Sequence, residues 1–293
     1  MGKIIAFWSP FVGKAKVTSS MCAIAGIFGA EFPEYSIAVT HIGSDCTDLG
    51  KKLDYRYENI PKEEIYEKSG ISSLKLNVRQ AMLTAERVRH SGIPLIMKSL
   101  FFYPNMEEMK YDELIHFIIT KVMANEFDAV FLDLKSGKSS DLLHWINAAD
   151  LVVVVLPQDP LSWKNFETYE TEYLTGKKYF ILLGGYMENS KFNKSCYRRK
   201  TKGTIQGELL GEVPLNIGFF DAMAEGRTLD FIYKNQKVRK KEENYEFIFQ
   251  TKRAANILRK NIFISGFEDE SITNASGLYR DVSQGCGNMR RTS

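Results

Sequence analysis

Cysteine is scarce in this 293-residue sequence, and its few copies are widely separated. The four cysteines are Cys22, Cys46, Cys196 and Cys286, and no CxxC pair occurs among them. This spacing excludes a zinc site built from neighbouring residues and argues against a disulfide framework. A reducing, cytoplasmic location is therefore expected.

Long apolar runs and a strong net charge are also absent. No stretch approaches the roughly 20 apolar residues that a membrane-spanning helix needs, and the N-terminus lacks a signal-peptide pattern. The formal net charge of +3 is too small to indicate nucleic-acid binding by itself. No Ser-His-Asp or Cys-His arrangement stands out among the four histidines, so nothing points to a hydrolase of those types.

Short apolar segments instead alternate with helical ones along most of the chain. The clearest strands are predicted over 3–8, 36–41, 127–134, 151–156 and 179–183, with helices over 18–30, 140–149 and 160–174. This alternation predicts an α/β fold with a mostly parallel central sheet flanked by helices. We also predict a polar surface excursion over 52–70, helices over 78–89 and 111–125, an extended segment over 93–103, and one long basic helix over 237–263. A single domain over 1–263 and a flexible tail over 264–293, rich in Ser, Gly, Asn and Arg, complete the prediction.

The first strand runs into a small-residue loop and then a helix, which is the layout of a phosphate-binding loop. In that layout, backbone N–H groups and the helix N-terminus converge on an anion. Gly13 permits close backbone approach, and Lys16 stands where a lysine would reach the β- and γ-phosphates. The strict pattern is incomplete, because Ala15 replaces the second glycine, Val17 replaces the metal-binding hydroxyl, and Thr18 comes one position later. A tight strand–turn–helix connection without a ligand is the alternative.

A second feature lies at the end of the strand predicted over 127–134. Asp133 is followed four residues later by Gly137, which is the layout of a Walker B strand and its switch loop. Such a carboxylate can hold Mg²⁺ through water, and the glycine N–H can sense a γ-phosphate. A helix N-cap or loop aspartate is the alternative, but the two features together favour a phosphate site.

With these residues in place, the chain resembles the MinD/ParA family of P-loop ATPases, whose deviant Walker A motif reads Lys-Gly-Gly-x-Gly-Lys-Thr-Thr. Residues 11–18 align with that motif without gaps, and four later landmarks follow in the family's order, at 131–137, 149–158, 210–216 and 220–226. The resemblance implies ATP and Mg²⁺ as cofactors, a homodimer that sandwiches nucleotide, and a protein partner. It also implies a role in plasmid or mobile-element partitioning, or in positioning a conjugation or secretion apparatus. It assigns catalysis to Lys16 and Asp133, nucleotide binding to Gly13, Lys14, Ala15, Lys16, Val17, Thr18 and Gly137, and metal binding to Thr18 and Asp133.

Several positions depart from the family's pattern. Phe11 replaces the lysine that contacts the neighbouring subunit's nucleotide, and Val17 replaces the magnesium-binding threonine. His41 stands in place of an aspartate that helps to activate water, and Gly184 with Gly185 replaces a purine-contacting asparagine. Because phosphoryl transfer depends on metal and positioned charge, we expect weak or absent ATP hydrolysis. The alternative hypothesis is a pseudo-ATPase scaffold that binds a protein partner or DNA without nucleotide turnover.

Basic clusters indicate a further possible partner, DNA bound without sequence preference. Phe192 and Tyr197 are interleaved with the first cluster, which contains Lys191, Lys194, Arg198, Arg199, Lys200 and Lys202. A second cluster lies between Lys234 and Lys241. The alternative is solvated surface charge that nearby acidic residues balance.

Overall fold

A computed structural model describes residues 2–42, 49–53, 100–102 and 123–264. The chain divides into two compact units, Met1–Leu258 and Arg259–Ser293, and the described part of the second ends in a π-helical segment, Lys260–Ile264. Several sequence predictions fall outside the described residues, namely most of the surface excursion, the helix over 78–89, most of the segments over 93–103 and 111–125, and the tail beyond residue 264.

A seven-stranded sheet forms the centre of the first unit, in the spatial order β3-β2-β4-β1-β5-β6-β7. Its strands are β1 Lys3–Trp8, β2 Ile37–Ile42, β3 Leu100–Phe102, β4 Ala129–Leu134, β5 Leu151–Leu156, β6 Tyr179–Tyr186 and β7 Glu208–Pro214. Every pairing between these strands is parallel. The strands β2, β4 and β5 are buried at every residue, as expected for parallel strands covered on both faces.

Helices cover both faces of the sheet, so the α/β prediction is confirmed. They are α1 Val17–Glu31, α2 Leu49–Leu53, α3 Ala124–Glu126, α4 Ser140–Ala148, α5 Pro160–Tyr173, α6 Lys194–Thr201, α7 Ile217–Ala224, α8 Thr228–Asn235 and α9 Tyr245–Arg259. On one face, Trp145 of α4 and Trp163 of α5 join the core. On the other face, Phe28 of α1 packs edge-on against Phe131 of β4 at 5.7 Å between ring centroids. No helix in the described ranges is long and apolar enough to cross a membrane.

The prediction of one helix over 237–263 is wrong at its start, because α9 begins only at Tyr245. A turn precedes it, in which Lys241 has a left-handed φ of 88°. Side-chain amides hold this turn: Asn216 donates to Asn244 at 2.9 Å, and Asn244 donates to Asn235 at 3.0 Å. These long-range bonds favour the turn over the helix that the local sequence prefers.

Candidate functional site

A cavity of about 430 Å³ opens at the carboxyl edge of the sheet, where the loop after β1 meets the ends of β2 and β4. Ligands bind at this edge in open α/β sheets. The polar and aromatic residues that line the cavity include Lys16, Thr18, His41, Lys52, Asp133 and Phe220. Thus Lys16, Thr18 and Asp133, which were singled out in separate sequence motifs, line one cavity, and so do Gly13, Ala15 and Val17.

The loop between β1 and α1 contains two residues with a left-handed backbone conformation. Gly13 has a φ of 70°, and Lys16, the residue that caps α1, has a φ of 60°. A left-handed conformation at a lysine costs about 1–2 kcal/mol, so the surrounding contacts must hold it. Among the described residues, none accepts a hydrogen bond from the backbone N–H groups of residues 13–16. Unsatisfied donors beside a helix N-terminus form a binding site for an anion.

Strand β6 explains the glycine pair that follows Leu183. The strand continues through these glycines to Tyr186 instead of ending at Leu183 as predicted. A side chain at Gly184 would put its Cβ 2.2 Å from the carbonyl oxygen of Ala15, and one at Gly185 would lie 3.3 Å from the Cγ of Lys16. The absence of side chains at Gly184 and Gly185 therefore lets the end of β6 pack closely against residues 15 and 16 of the loop.

Asp133 and Thr18 form the polar centre of the cavity. The Thr18 hydroxyl donates a hydrogen bond of 2.7 Å to Oδ2 of Asp133, and Asp133 is only 4% exposed. Burial raises the pKa of this carboxyl to about 7, although the Thr18 bond and the charge of Lys52 both act to lower it. The second oxygen, Oδ1, has no hydrogen-bond partner in the described part of the chain. A buried acceptor without a partner is costly and could serve a ligand.

His41 lies beside Asp133, because these two residues are register partners on the adjacent strands β2 and β4. The imidazole is 2% exposed, and neither ring nitrogen has a partner within the described ranges. Burial, with a smaller contribution from the charge of Lys52, lowers the pKa of His41 to about 4. The ring is therefore neutral at physiological pH and offers one donor and one acceptor.

Two further residues line the cavity. Lys52 belongs to no sequence motif, and Phe220, the first residue of the landmark over 220–226, was not predicted to be a site residue. Lys52 belongs to α2, whose Leu49 and Leu53 are buried, so the predicted surface excursion is wrong for Leu53. Phe220 of α7 lies with its ring centroid 5.5 Å from the ammonium of Lys16, within the range of a cation–π contact. Only the contacts of α2 and α7 with the rest of the fold bring these residues to the cavity.

Two residues that the resemblance assigns to nucleotide binding, Lys14 and Gly137, lie outside the cavity lining, and so does Phe11, which departs from the family's pattern. Phe11 packs against Tyr169 of α5, with 5.7 Å between ring centroids. Lys14 is exposed and lies outside the cavity lining, and its charge contributes to lowering the pKa of Asp159. The N–H of Gly137 donates to the carbonyl of Ser9 at 2.8 Å. Contact between this N–H and a phosphate would require that bond to break.

The first basic cluster lies on α6 and on the residues that flank it. Its two aromatic residues pack into the core. Tyr197 is buried with its ring centroid 5.2 Å from that of Trp163, and Phe192 packs against the main apolar cluster. Lys194 forms an ion pair with the buried Glu212. The remaining basic side chains, Lys191, Arg198, Arg199, Lys200 and Lys202, are exposed.

The cavity contains groups that could bind phosphate and groups that could bind Mg²⁺. Asp133 and Thr18 supply oxygen atoms of the kind that Mg²⁺ prefers, but Val17 has no hydroxyl and is buried. Three lysines, Lys16, Lys52 and Lys135, also line the cavity. In the described ranges, no group of three or more His, Cys, Asp or Glu side chains could hold a metal ion.

The solved structures that are similar to this chain include several ParA and MinD proteins. The chain superposes on a ParA family ATPase from Chlorobium tepidum TLS with a TM-score of 0.58 and 14% identity, covering 85% of this chain and 97% of that one. A chain of the MinC:MinD cell division protein complex from Aquifex aeolicus superposes with a TM-score of 0.59 and 14% identity, covering 88% of this chain and 96% of that one. MinD from Pyrococcus horikoshii OT3, solved with Mg-ADP, superposes with a TM-score of 0.59 and 10% identity, covering 92% of this chain and 100% of that one. No protein-family model and no curated protein matches the sequence. The fold is that of the MinD/ParA P-loop NTPases.

Proposed function

We propose that the chain binds ATP at the loop of residues 13–18 and acts as a ParA/MinD-like nucleotide-binding protein with weak or absent hydrolysis. The observation that carries this proposal is the set of unengaged backbone N–H groups at residues 13–16. They stand at the N-terminus of α1, and Gly13, Ala15 and Lys16 line the same cavity as Asp133. This arrangement has the donors and the charge that phosphate groups need.

The proposed weakness of hydrolysis rests on the groups around the phosphates. His41 is a neutral imidazole where a water-activating carboxylate is expected, and Phe11 packs on Tyr169 and offers no cation to a second subunit. Positioned charge supplies most of the catalysis in phosphoryl transfer. These substitutions should therefore lower the rate of ATP hydrolysis more than they lower the affinity for ATP. A role in partitioning, or in positioning a conjugation or secretion apparatus, suits a nucleotide-dependent switch of this kind.

Thermal unfolding with and without ATP tests the proposal. At an ATP concentration about 100-fold above Kd, bound nucleotide should add about 2.7 kcal/mol to the free energy of unfolding. Lys16→Ala should lose this gain, whereas Lys178→Ala, at the opposite edge of the sheet, should keep it. If millimolar ATP leaves the unfolding temperature of the unmodified chain unchanged, the nucleotide proposal is wrong.

The second candidate function is a pseudo-ATPase scaffold, and two contacts favour it. Lys16 rests against Phe220, and the Gly137 N–H is bonded to Ser9, so both groups already have partners without a nucleotide. A scaffold would bind its protein partner equally well with and without ATP. A nucleotide switch would bind that partner differently in the two states.

We further propose that a second copy of the chain docks over the carboxyl edge of the sheet. Large apolar side chains are exposed where β1, β5, β6 and β7 end, namely Val12, Leu161, Met187, Leu215 and Ile217. Exposed apolar patches of this kind mark interaction surfaces. Sedimentation should show an ATP-dependent dimer that Ile217→Glu abolishes, while Phe249→Glu on α9 should leave it intact. A chain that stays monomeric with saturating ATP would contradict the docking proposal.

DNA binding remains a separate proposal, which rests on the exposed basic side chains of α6 and its flanks. Non-specific binding through several phosphate contacts should fall steeply as salt rises. Replacing Arg198 and Arg199 by Ala should weaken DNA binding at low salt, whereas Lys3→Ala, distant from α6 in the sheet order, should not. Binding that is absent at low salt, or unchanged in the double variant, excludes this surface.

A further inference from the structure

We propose that the cavity binds ATP together with a first-row transition-metal ion in preference to Mg²⁺, with a ring nitrogen of His41 and the Oδ1 atom of Asp133 as protein ligands. This inference rests on the proposed function, because it concerns the metal ion that accompanies ATP in the same site. It adds His41 to Thr18 and Asp133, the metal-binding residues that the resemblance implies.

Strand register brings His41 and Asp133 side by side. They are register partners on the parallel strands β2 and β4, and each stands one residue before the end of its strand. Neighbouring strands lie about 4.8 Å apart, and register partners project from the same face of a sheet. Both side chains line the cavity. A metal ion with bonds of about 2.1 Å can join two ligands at this spacing.

Each of these two side chains has an atom that nothing in the described part of the chain engages. His41 is 2% exposed and both of its ring nitrogens lack a hydrogen-bond partner, and Asp133 is 4% exposed and its Oδ1 lacks one. Buried polar atoms without partners cost free energy. One metal ion would engage a ring nitrogen and the Oδ1 atom at once. The other ring nitrogen can donate a hydrogen bond to a phosphate oxygen or to a metal-bound water.

Thr18 determines which oxygen of Asp133 is left for a metal ion. Its hydroxyl donates a 2.7 Å hydrogen bond to Oδ2 of Asp133, so Oδ1 is the oxygen without a partner. A hydroxyl oxygen that donates its proton still has lone pairs. Thr18 can therefore serve as a third ligand beside His41 and Asp133.

The nitrogen ligand determines which metal ions fit best. Mg²⁺ takes oxygen ligands and gives up its water reluctantly, so an imidazole adds little to its binding. Imidazole is the commonest metal ligand in proteins and suits transition metals such as Zn²⁺, Fe²⁺ and Ni²⁺. His41 should therefore shift the preference of an otherwise oxygen-based site away from Mg²⁺.

The side chains in the cavity would hold the metal ion only together with nucleotide. No group of three or more His, Cys, Asp or Glu side chains occurs in the described ranges, and the positive charge of Lys52 acts on both His41 and Asp133. Metal ions in phosphate-transferring sites are commonly held by one or two side chains and by phosphate oxygens. The negative charge of ATP would offset that of the lysine, so we expect metal and nucleotide to bind together.

Calorimetric titration of the full chain with ATP, in saturating Co²⁺ and in saturating Mg²⁺, tests the metal preference. We expect ATP to bind about tenfold more tightly with Co²⁺, a difference of about 1.4 kcal/mol, and a ratio of about threefold or more supports the inference. A smaller ratio overturns the metal preference and leaves the proposed function standing. Absence of ATP binding with both metals overturns the proposed function, and this inference falls with it.

Substitution of His41 tests the ligand assignment in the same assay. His41→Asn should bring the ratio of the two dissociation constants below about threefold, because the ring nitrogen is lost. His144→Asn on the exposed side of α4 should keep the ratio of the unmodified chain. A general loss of stability does not change a ratio measured on one variant, and unfolding curves without ligand show whether each variant is folded. If folded His41→Asn keeps the full ratio, the assignment is wrong.

Proton NMR of the Co²⁺ complex observes the ligand itself. A histidine bound to Co²⁺ gives a strongly shifted imidazole N–H resonance, which we expect for the unmodified chain with Co²⁺ and ATP. His144→Asn should retain this resonance and His41→Asn should lose it. Absence of the resonance from the unmodified chain with bound Co²⁺ and ATP would overturn the assignment without reference to any variant.

Discussion

At the scale of single residues, Gly184 has a defined structural task. Its missing side chain lets β6 approach the loop, where a Cβ would lie 2.2 Å from the Ala15 carbonyl oxygen. We expect Gly184→Ala to lower the free energy of unfolding by about 1–3 kcal/mol, because the Ala15 carbonyl and the Val155 side chain, whose Cγ1 would lie 2.7 Å from the new Cβ, must move. Urea unfolding measures the change. Gly218→Ala in α7 is the matched control, because its Cβ would meet side-chain atoms only, the nearest at 3.3 Å. A loss of stability there as large as at Gly184 would contradict the explanation.

Asp133 should make the chain less stable as pH rises. Its folded pKa of about 7 lies above its ordinary value of 3.8, so the folded state favours the protonated form. The stability that this group contributes is fully present below pH 4 and is lost as pH rises through 7, by on the order of 4 kcal/mol. Asp133→Asn should remove this slope in unfolding free energies measured across that range. A variant with the same slope as the unmodified chain would show that another group is responsible.

His41 should act in the opposite direction. Its folded pKa of about 4 lies below the ordinary value of 6.5, so the folded state favours the neutral ring. Its contribution is present above pH 6.5 and is lost as pH falls towards 4, by on the order of 3 kcal/mol. His41→Asn should flatten the acid side of the stability curve. If acid unfolding is unchanged in that variant, the imidazole is not buried as described.

The sequence indicated only some of the residues that meet in the cavity. Lys16, Thr18 and Asp133 belong to local motifs whose spacing reflects the chemistry of phosphate binding, and all three line the cavity. Lys52 belongs to no such motif, and its position depends on the bond between its carbonyl and Thr228, 176 residues away. The pairing of His41 with Asp133 likewise depends on strand order, which no local pattern encodes.

At the scale of elements, the Lys194–Glu212 ion pair joins α6 to β7. Glu212 is 2% exposed, and the Lys194 side chain is 26% exposed. Removing one partner of a buried pair leaves an uncompensated charge, so Lys194→Met should cost about 2–4 kcal/mol of unfolding free energy, reduced somewhat by solvent at the lysine. Lys191→Met, on the exposed side of the same region, should cost little. Equal effects of the two variants in urea unfolding would contradict a structural role for the pair.

The elements of the second half were predictable for a physical reason. Apolar runs such as Leu151–Leu156 are buried on both faces, and strong caps such as Asp159 before α5 mark helix starts in the sequence itself. The start of α9 was not predictable, because the turn before it depends on amides at Asn216 and Asn235. Local helix preference extends the predicted helix back to residue 237 in the absence of that information.

At the scale of the whole molecule, the alternation of predicted strands and helices along the sequence indicated the α/β fold class. The order of the sequence landmarks indicated the MinD/ParA type of that fold. The spatial order β3-β2-β4-β1-β5-β6-β7 could not be obtained from periodicity alone, because it depends on which strands pair across long separations. This order puts β1 between β4 and β5, and so brings the loop after β1 to the centre of the carboxyl edge. The cavity and the exposed apolar side chains around it are consequences of that placement.

A crystal structure of the chain soaked with ATP would test nucleotide binding at this loop most directly. The account predicts triphosphate density against the backbone N–H groups of residues 13–16, with Lys16 moved from the Phe220 ring to the phosphates. An empty cavity at millimolar ATP, or nucleotide bound elsewhere on the chain, would contradict the account.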